Sequence, residues 1–249
     1  MVAARERLYV EAGRQASNPR RRRSGAADFR MARARAILQL MRFQLTDRGL
    51  KRRLDALAED DSRLAEAIAR VGYPAERRSG SPSYAHLLRI LTGQQLSVKA
   101  AATIYGRLID HVGDPPDPDA LLDSDDLTLR SLGLSRQKIA YARGLSEAVR
   151  DGRLVPEALG DMDDQAIIDR LTALKGFGRW SAEMFLRFSL GRPDVWPADD
   201  LGIQAGLQRL LELDVRPTRR EVDRLGEPWK PHRGAVAIFL WHLHGAPPA

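Results

Sequence analysis

Leu174-Lys175-Gly176-Phe177-Gly178-Arg179-Trp180-Ser181-Ala182 sits between two runs of apolar residues at three-to-four spacing, and its reading decides the architecture. Ile167, Ile168, Leu171 and Leu174 form the run before it, and Ala182, Phe185, Leu186 and Ser189 the run after it. That period is the face of a helix, so the stretch reads as a tight turn joining two helices. Glycine takes positive φ and lets backbones approach closely at small cost, which suits Gly176 and Gly178 to the turn. Phe177 is expected to plug it into the core. The N–H groups about Gly176 and Gly178, with the start of the next helix at Arg179 and Ser181, make a preformed anion site fit for a phosphate.

Outward from the hairpin the helical signals repeat. Asp163 is a start signal for the helix before it. Ser135 caps another that carries Ile139, Ala142, Leu145 and Val149, and Ser124, after a proline-rich loop at 115 to 118, begins a short one ending near Gly133. Ser83 can cap a helix faced by Tyr84, Leu87, Leu88 and Leu91, interrupted at Gly93-Gln94-Gln95-Leu96-Ser97 and followed by a second through Ala100, Ile104 and Leu108 to Gly113. Leu50, Leu54, Leu57, Leu64 and Ile68 make one or two short helices, broken near Asp60 and Asp61. Downstream, Leu207, Leu210 and Leu211 mark a helix, and the last runs from about Gly234 to His244. No run of five residues alternates apolar and polar with β-branched enrichment, so the expected fold is all-α.

Charge is unevenly placed. The chain of 249 residues has a net charge of +7, but residues 1 to 53 hold 15 Lys+Arg against 4 Asp+Glu, leaving 25 basic and 29 acidic groups in the rest. The body is therefore slightly acidic, and net charge says little about whether it binds nucleic acid. Residues 1 to 30, with Arg20-Arg21-Arg22-Arg23, read as a basic disordered tail for non-specific phosphate contact, unless translation starts at Met31. The chain contains no cysteine, which excludes disulfides, thiolate catalysis, Cys-type zinc sites and iron–sulfur clusters. No stretch approaches roughly 18 apolar residues and no signal peptide is apparent, so an intracellular, cytoplasmic protein with no membrane contact is expected.

The pattern Leu-x-Gly-apolar-Gly-x-x-Ser-Ala, followed within about twenty residues by Pro197-Ala198-Asp199-Asp200, resembles the helix-hairpin-helix DNA glycosylase superfamily over about residues 80 to 245. The resemblance implies two helical subdomains with a cleft between them: residues 31–82 with 201–249, and 83–200 containing the hairpin. It also implies a monovalent cation, Na+ or K+, on the backbone carbonyls of Thr172, Leu174 and Phe177, with no cofactor required for chemistry.

Hydrolysing an N-glycosidic bond calls for one carboxylate to stabilise a cationic sugar and position water. Alignment with the family through Leu201-Gly202-Ile203 gives that role to Asp200, with Asp199 supporting the loop or capping the helix. Members that also cleave the backbone carry a lysine amine where Trp180 stands, and tryptophan cannot form a Schiff base. The chain thus resembles the monofunctional alkyladenine branch, of the 3-methyladenine glycosylase II type without an N-terminal α/β domain. In that branch Trp180 and Trp241 would wall a pocket for an extruded base, since cationic alkylated purines gain cation–π attraction to electron-rich rings. Met184 stands where some bacterial members have a pocket tyrosine. Trp229-Lys230-Pro231-His232-Arg233 matches a motif of the branch and would orient the cleft wall or meet phosphate.

A flipped base leaves a gap that family members fill from the kink between two early helices. Gln95 fits that position, and Gln94 and Ser97 would touch the gap or the opposite strand. The expected partner is double-stranded DNA containing alkylated bases, bound by a monomer in base excision repair. Two other readings stand beside this one: a glycosylase for oxidised or deaminated bases, opposed by Trp180 and the absence of cysteine, and a non-catalytic helix-hairpin-helix DNA-binding protein.

Overall fold

The computed structural model describes residues 47–75 and 81–247, and every regular element among them is helical. In chain order these are α1 Asp47–Ala58, α2 Ser62–Val71, α3 Tyr84–Gly93, α4 Val98–Val112, α5 Pro118–Asp123, α6 Asp126–Ser131, α7 Arg136–Arg150, α8 Asp164–Thr172, α9 Arg179–Phe188, α10 Leu201–Leu210, α11 Arg219–Leu225 and α12 Arg233–Gly245. Short 3-10 turns occupy Pro156–Asp161 and Glu227–Trp229. The basic tail expected at 1–30, and the part of the first subdomain expected at 31–46, lie outside the described residues.

Most helices start where a short polar side chain can accept from their first N–H groups, which have no partner within the helix. Asp61, Ser83, Ser97, Ser135 and Asp163 each do so, for α2, α3, α4, α7 and α8. The expectations depart from the structure at two places. Pro118 does not belong to a loop: Asp117 caps α5 with the proline at its start, where a missing N–H costs nothing. Ser124 therefore ends α5, and the cap of α6 is Asp125, whose carboxylate accepts from Thr128 N. The reading also passes over α11, although Thr218 and Glu221 form a reciprocal capping box at its start.

Buried apolar residues gather in two clusters. One draws on α3 to α9, from Tyr84 to Val195, and includes the hairpin's Phe177. The other joins Leu50, Leu54, Leu64 and Ile68 of α1 and α2 to residues 196–243, with α10 packed along α12. Val195 belongs to the first cluster and Trp196 to the second. The segment that crosses from one to the other leads straight into Pro197-Ala198-Asp199-Asp200.

Candidate active site

The crossing segment is tied down by its own backbone. Ala198 N donates to Trp196 O at 3.0 Å, Asp200 N to Pro197 O at 2.9 Å, and the Gln204 amide to Ala198 O at 3.1 Å. Asp200 then caps α10, its Oδ1 accepting from Ile203 N at 3.0 Å. The cap is thus Asp200 itself. Asp199, expected to support the loop or cap the helix, is exposed and pairs with Arg219 Nη1 at 3.5 Å.

Two indoles converge on the same carboxylate. Trp180 Nε1, from α9 of the first cluster, donates to Asp200 Oδ2 at 2.7 Å, and Trp241 Nε1, from α12 of the second, donates to Oδ1 at 2.8 Å. Asp200 thus bridges the two halves through three N–H donors, an arrangement matched to a charged acceptor. An indole N–H lies in the ring plane. Each tryptophan that points its edge at Asp200 consequently turns its faces to the side, beside the carboxylate. One face of Trp241 is taken by Phe188, with ring centroids 5.9 Å apart and planes 24° from parallel.

Phe188 was not among the expected pocket residues, yet Trp180, Met184 and Phe188 are spaced four apart on α9 and so share a face. Met184 itself is buried. Gly202 was missed as well. A Cβ there would lie 2.8 Å from Trp241 Cδ1 and 3.1 Å from Asp200 Oδ1, so only glycine lets the ring and the carboxylate meet.

At the hairpin, Gly176 has φ +92°, and a Cβ on it would sit 2.3 Å from the Tyr141 ring. Gly178 differs from the expectation: its φ of −90° is open to any residue, and it starts α9 without a side-chain cap. The exposed start of that helix is left free of a competing side-chain acceptor. Arg179 is half exposed and donates to Glu183 Oε1 at 2.9 Å. Burial pushes the Glu183 carboxyl up to about 7 against the opposing pull of Arg179. Ser181 is buried and its hydroxyl accepts from the Gln94 amide at 3.0 Å, so its side chain faces the protein and not a phosphate.

Gln94, expected in the gap, is turned onto the hairpin for the same reason, donating also to Gly176 O at 2.7 Å. Ser97 is occupied in capping α4. Gln95 is exposed and holds φ +56°. The Trp229–Arg233 motif is internal support. Trp229 packs edge-on to Trp196 and donates to Asp61, Lys230 pairs with Glu227, and Arg233 grips Asp194 through two nitrogens at 2.6 and 2.9 Å.

Among the described residues no backbone N–H bonds to the carbonyl of Thr172 or Phe177, and that of Leu174 accepts one, from Phe177 at 3.1 Å. These oxygens retain lone pairs and fit a hard monovalent cation. No group of three or more metal-ligating side chains occurs among the described residues, and none of their helices is long and apolar enough to cross a membrane.

Residues 88–231 match the family model described as HhH-GPD superfamily base excision DNA repair protein. The chain is 37% identical over 192 residues to DNA-3-methyladenine glycosylase 1 of Schizosaccharomyces pombe, covering 76% of this chain and 83% of that protein. The solved structure of the Schizosaccharomyces pombe 3-methyladenine DNA glycosylase Mag1 in complex with abasic DNA superposes with a TM-score of 0.71 at 34% identity, covering 76% of this chain and 95% of that one. A DNA-3-methyladenine glycosidase from Bacillus halodurans is similar at a TM-score of 0.63 and 35% identity, over 78% and 89% of the two chains.

Proposed function

Since the chain belongs to the HhH-GPD superfamily of base excision DNA repair proteins, we propose that it is a monofunctional DNA glycosylase that flips alkylated purines out of duplex DNA and hydrolyses their glycosidic bonds. The observation that carries this reading is the Asp200 carboxylate held by indole N–H groups from both halves. An extruded purine seated against the Trp180 and Trp241 faces brings its sugar to that carboxylate. As the bond breaks, positive charge develops on the sugar, and Asp200 stabilises it and orients the attacking water. A base made cationic by alkylation is held by the rings and is already a good leaving group. The step needs no amine and no cofactor, and the strand stays intact.

The rest of the machine follows. The uncapped start of α9 and the turn at Gly176 and Gly178 bind a backbone phosphate, with Arg179 at its edge. Gln95 fills the vacated stack. The carbonyls of Thr172, Leu174 and Phe177 would hold Na+ or K+, which would supply positive charge at the hairpin. Exchanging both ions for tetramethylammonium at constant ionic strength then weakens binding to duplex DNA, and unchanged binding removes the cation from the account. The protein works as a monomer in the compartment that holds the DNA, which in a bacterium is the cytoplasm.

Incubation with duplex DNA methylated at purines tests the reading. Free 3-methyladenine or 7-methylguanine should appear by mass, and strands should break only after heat or alkali. A folded sample that releases neither base defeats the proposal, and breaks without alkali defeat its monofunctional part.

A further inference from the structure

The kink that carries Gln95 is held from two sides. Lys138, in the first turn of α7, donates from Nζ to the carbonyls of Thr92 and Gln94, both at 2.8 Å. Those oxygens end α3, where the helix dipole and the unpaired carbonyls concentrate negative charge. From the other side, the Gln94 amide donates to Gly176 O at 2.7 Å and to Ser181 Oγ at 3.0 Å, across more than eighty residues of sequence. One turn along α7 from Lys138, the ring of Tyr141 lies against Gly176 so closely that no Cβ fits between them. A single helix therefore touches the kink through Lys138 and the hairpin through Tyr141, and Gln94 spans the two.

Gln95 itself has φ +56°, a conformation L-residues adopt only where neighbours impose it. Its preceding carbonyl is the one Lys138 grips, and its preceding side chain is the one anchored in the hairpin. We propose that Lys138 and Gln94 form a strut that fixes the left-handed Gln95 at a set distance from the hairpin's phosphate site and from the Trp180 pocket, making them positioning residues for base extrusion. The chemistry they serve is that of Gln95, so the inference rests on the glycosylase reading. Lysine suits the place because one ammonium can serve two carbonyls, and its burial lowers its pKa. Glutamine suits its own because one amide can donate to two acceptors at once.

The strut acts where the wedge matters, namely in opening a paired site. The test is single-turnover excision of one 7-methylguanine placed opposite cytosine or opposite an abasic site, with wild type, Lys138→Met and Gln94→Met. Both variants should lose about tenfold or more on the paired duplex, as expected when a reacting arrangement is displaced by about an ångström. Both should stay within about threefold of wild type on the unpaired one, and the double variant should be little worse than either single. Equal loss on the two duplexes, or no loss on the paired one, overturns the proposal. If Lys138→Met melts far below wild type, Gln94→Met, which leaves the α3 terminus neutralised, decides alone. A wild type that releases no base from either duplex instead overturns the glycosylase reading beneath it.

Discussion

Asp200 performs two jobs that compete for the same atoms: it caps α10 through Oδ1 and receives an indole N–H on each oxygen. Its reach to Trp241 depends on Gly202, so Gly202→Ala is expected to push the ring off the carboxylate. Single-turnover base release should fall about tenfold or more while duplex affinity changes by less than about threefold. An unchanged rate would mean that the Trp241 contact does not position Asp200. Glu183 gives a pH signature. Its folded pKa near 7 lies above the ordinary 4.5, so the stability it contributes is complete below about pH 4.5 and is lost as pH rises through 7. Thermal melts of wild type should therefore weaken between pH 5 and 7 by on the order of 2 kcal/mol relative to Glu183→Gln, each pKa unit being worth about 1.4 kcal/mol. Arg179 is half exposed and is not stranded by that change. Parallel pH profiles would contradict the burial argument.

At the scale of elements, the hairpin is expected to be brittle at Gly176. Gly176→Ala combines positive φ with a clash into Tyr141 and should cost on the order of 2 to 3 kcal/mol in denaturant unfolding, whereas Gly178→Ala, at φ −90° with open space around it, should cost under about 1 kcal/mol. Equal costs would show that Tyr141 yields. The same elements show what was legible beforehand. Serine and aspartate caps announce α3, α7 and α8 because capping is local chemistry written within four residues. A proline cluster hid α5, since a proline that ends one helix and one that starts another look alike without the chain around them. In the candidate site, the nearness of Asp200 and Trp180 was readable because both lie in one continuous stretch with the hairpin. The turning of Gln94 and Ser181 towards each other was not, because it depends on α3 meeting α9 in space. Phe188 and Gly202 needed the same long-range packing, though the four-residue spacing from Trp180 is a local signal that could have found the first.

For the whole molecule, the slightly acidic balance beyond residue 53 leaves the proposed phosphate affinity to local geometry and to the basic N-terminal stretch. Removing residues 1–30 should flatten the dependence of duplex affinity on salt while leaving the excision rate at saturating enzyme unchanged, and a lost rate would give that stretch a part in catalysis. The two apolar clusters meet at one carboxylate, with a tryptophan from each side. On the proposed mechanism that convergence puts the reacting sugar where the halves join and makes Asp200 the point on which function turns. The most direct measurement is single-turnover release of 3-methyladenine or 7-methylguanine from methylated duplex by Asp200→Asn against wild type, at saturating enzyme. The account predicts a loss of about a hundredfold or more with duplex affinity nearly unchanged. Release at the wild-type rate by folded Asp200→Asn would contradict it.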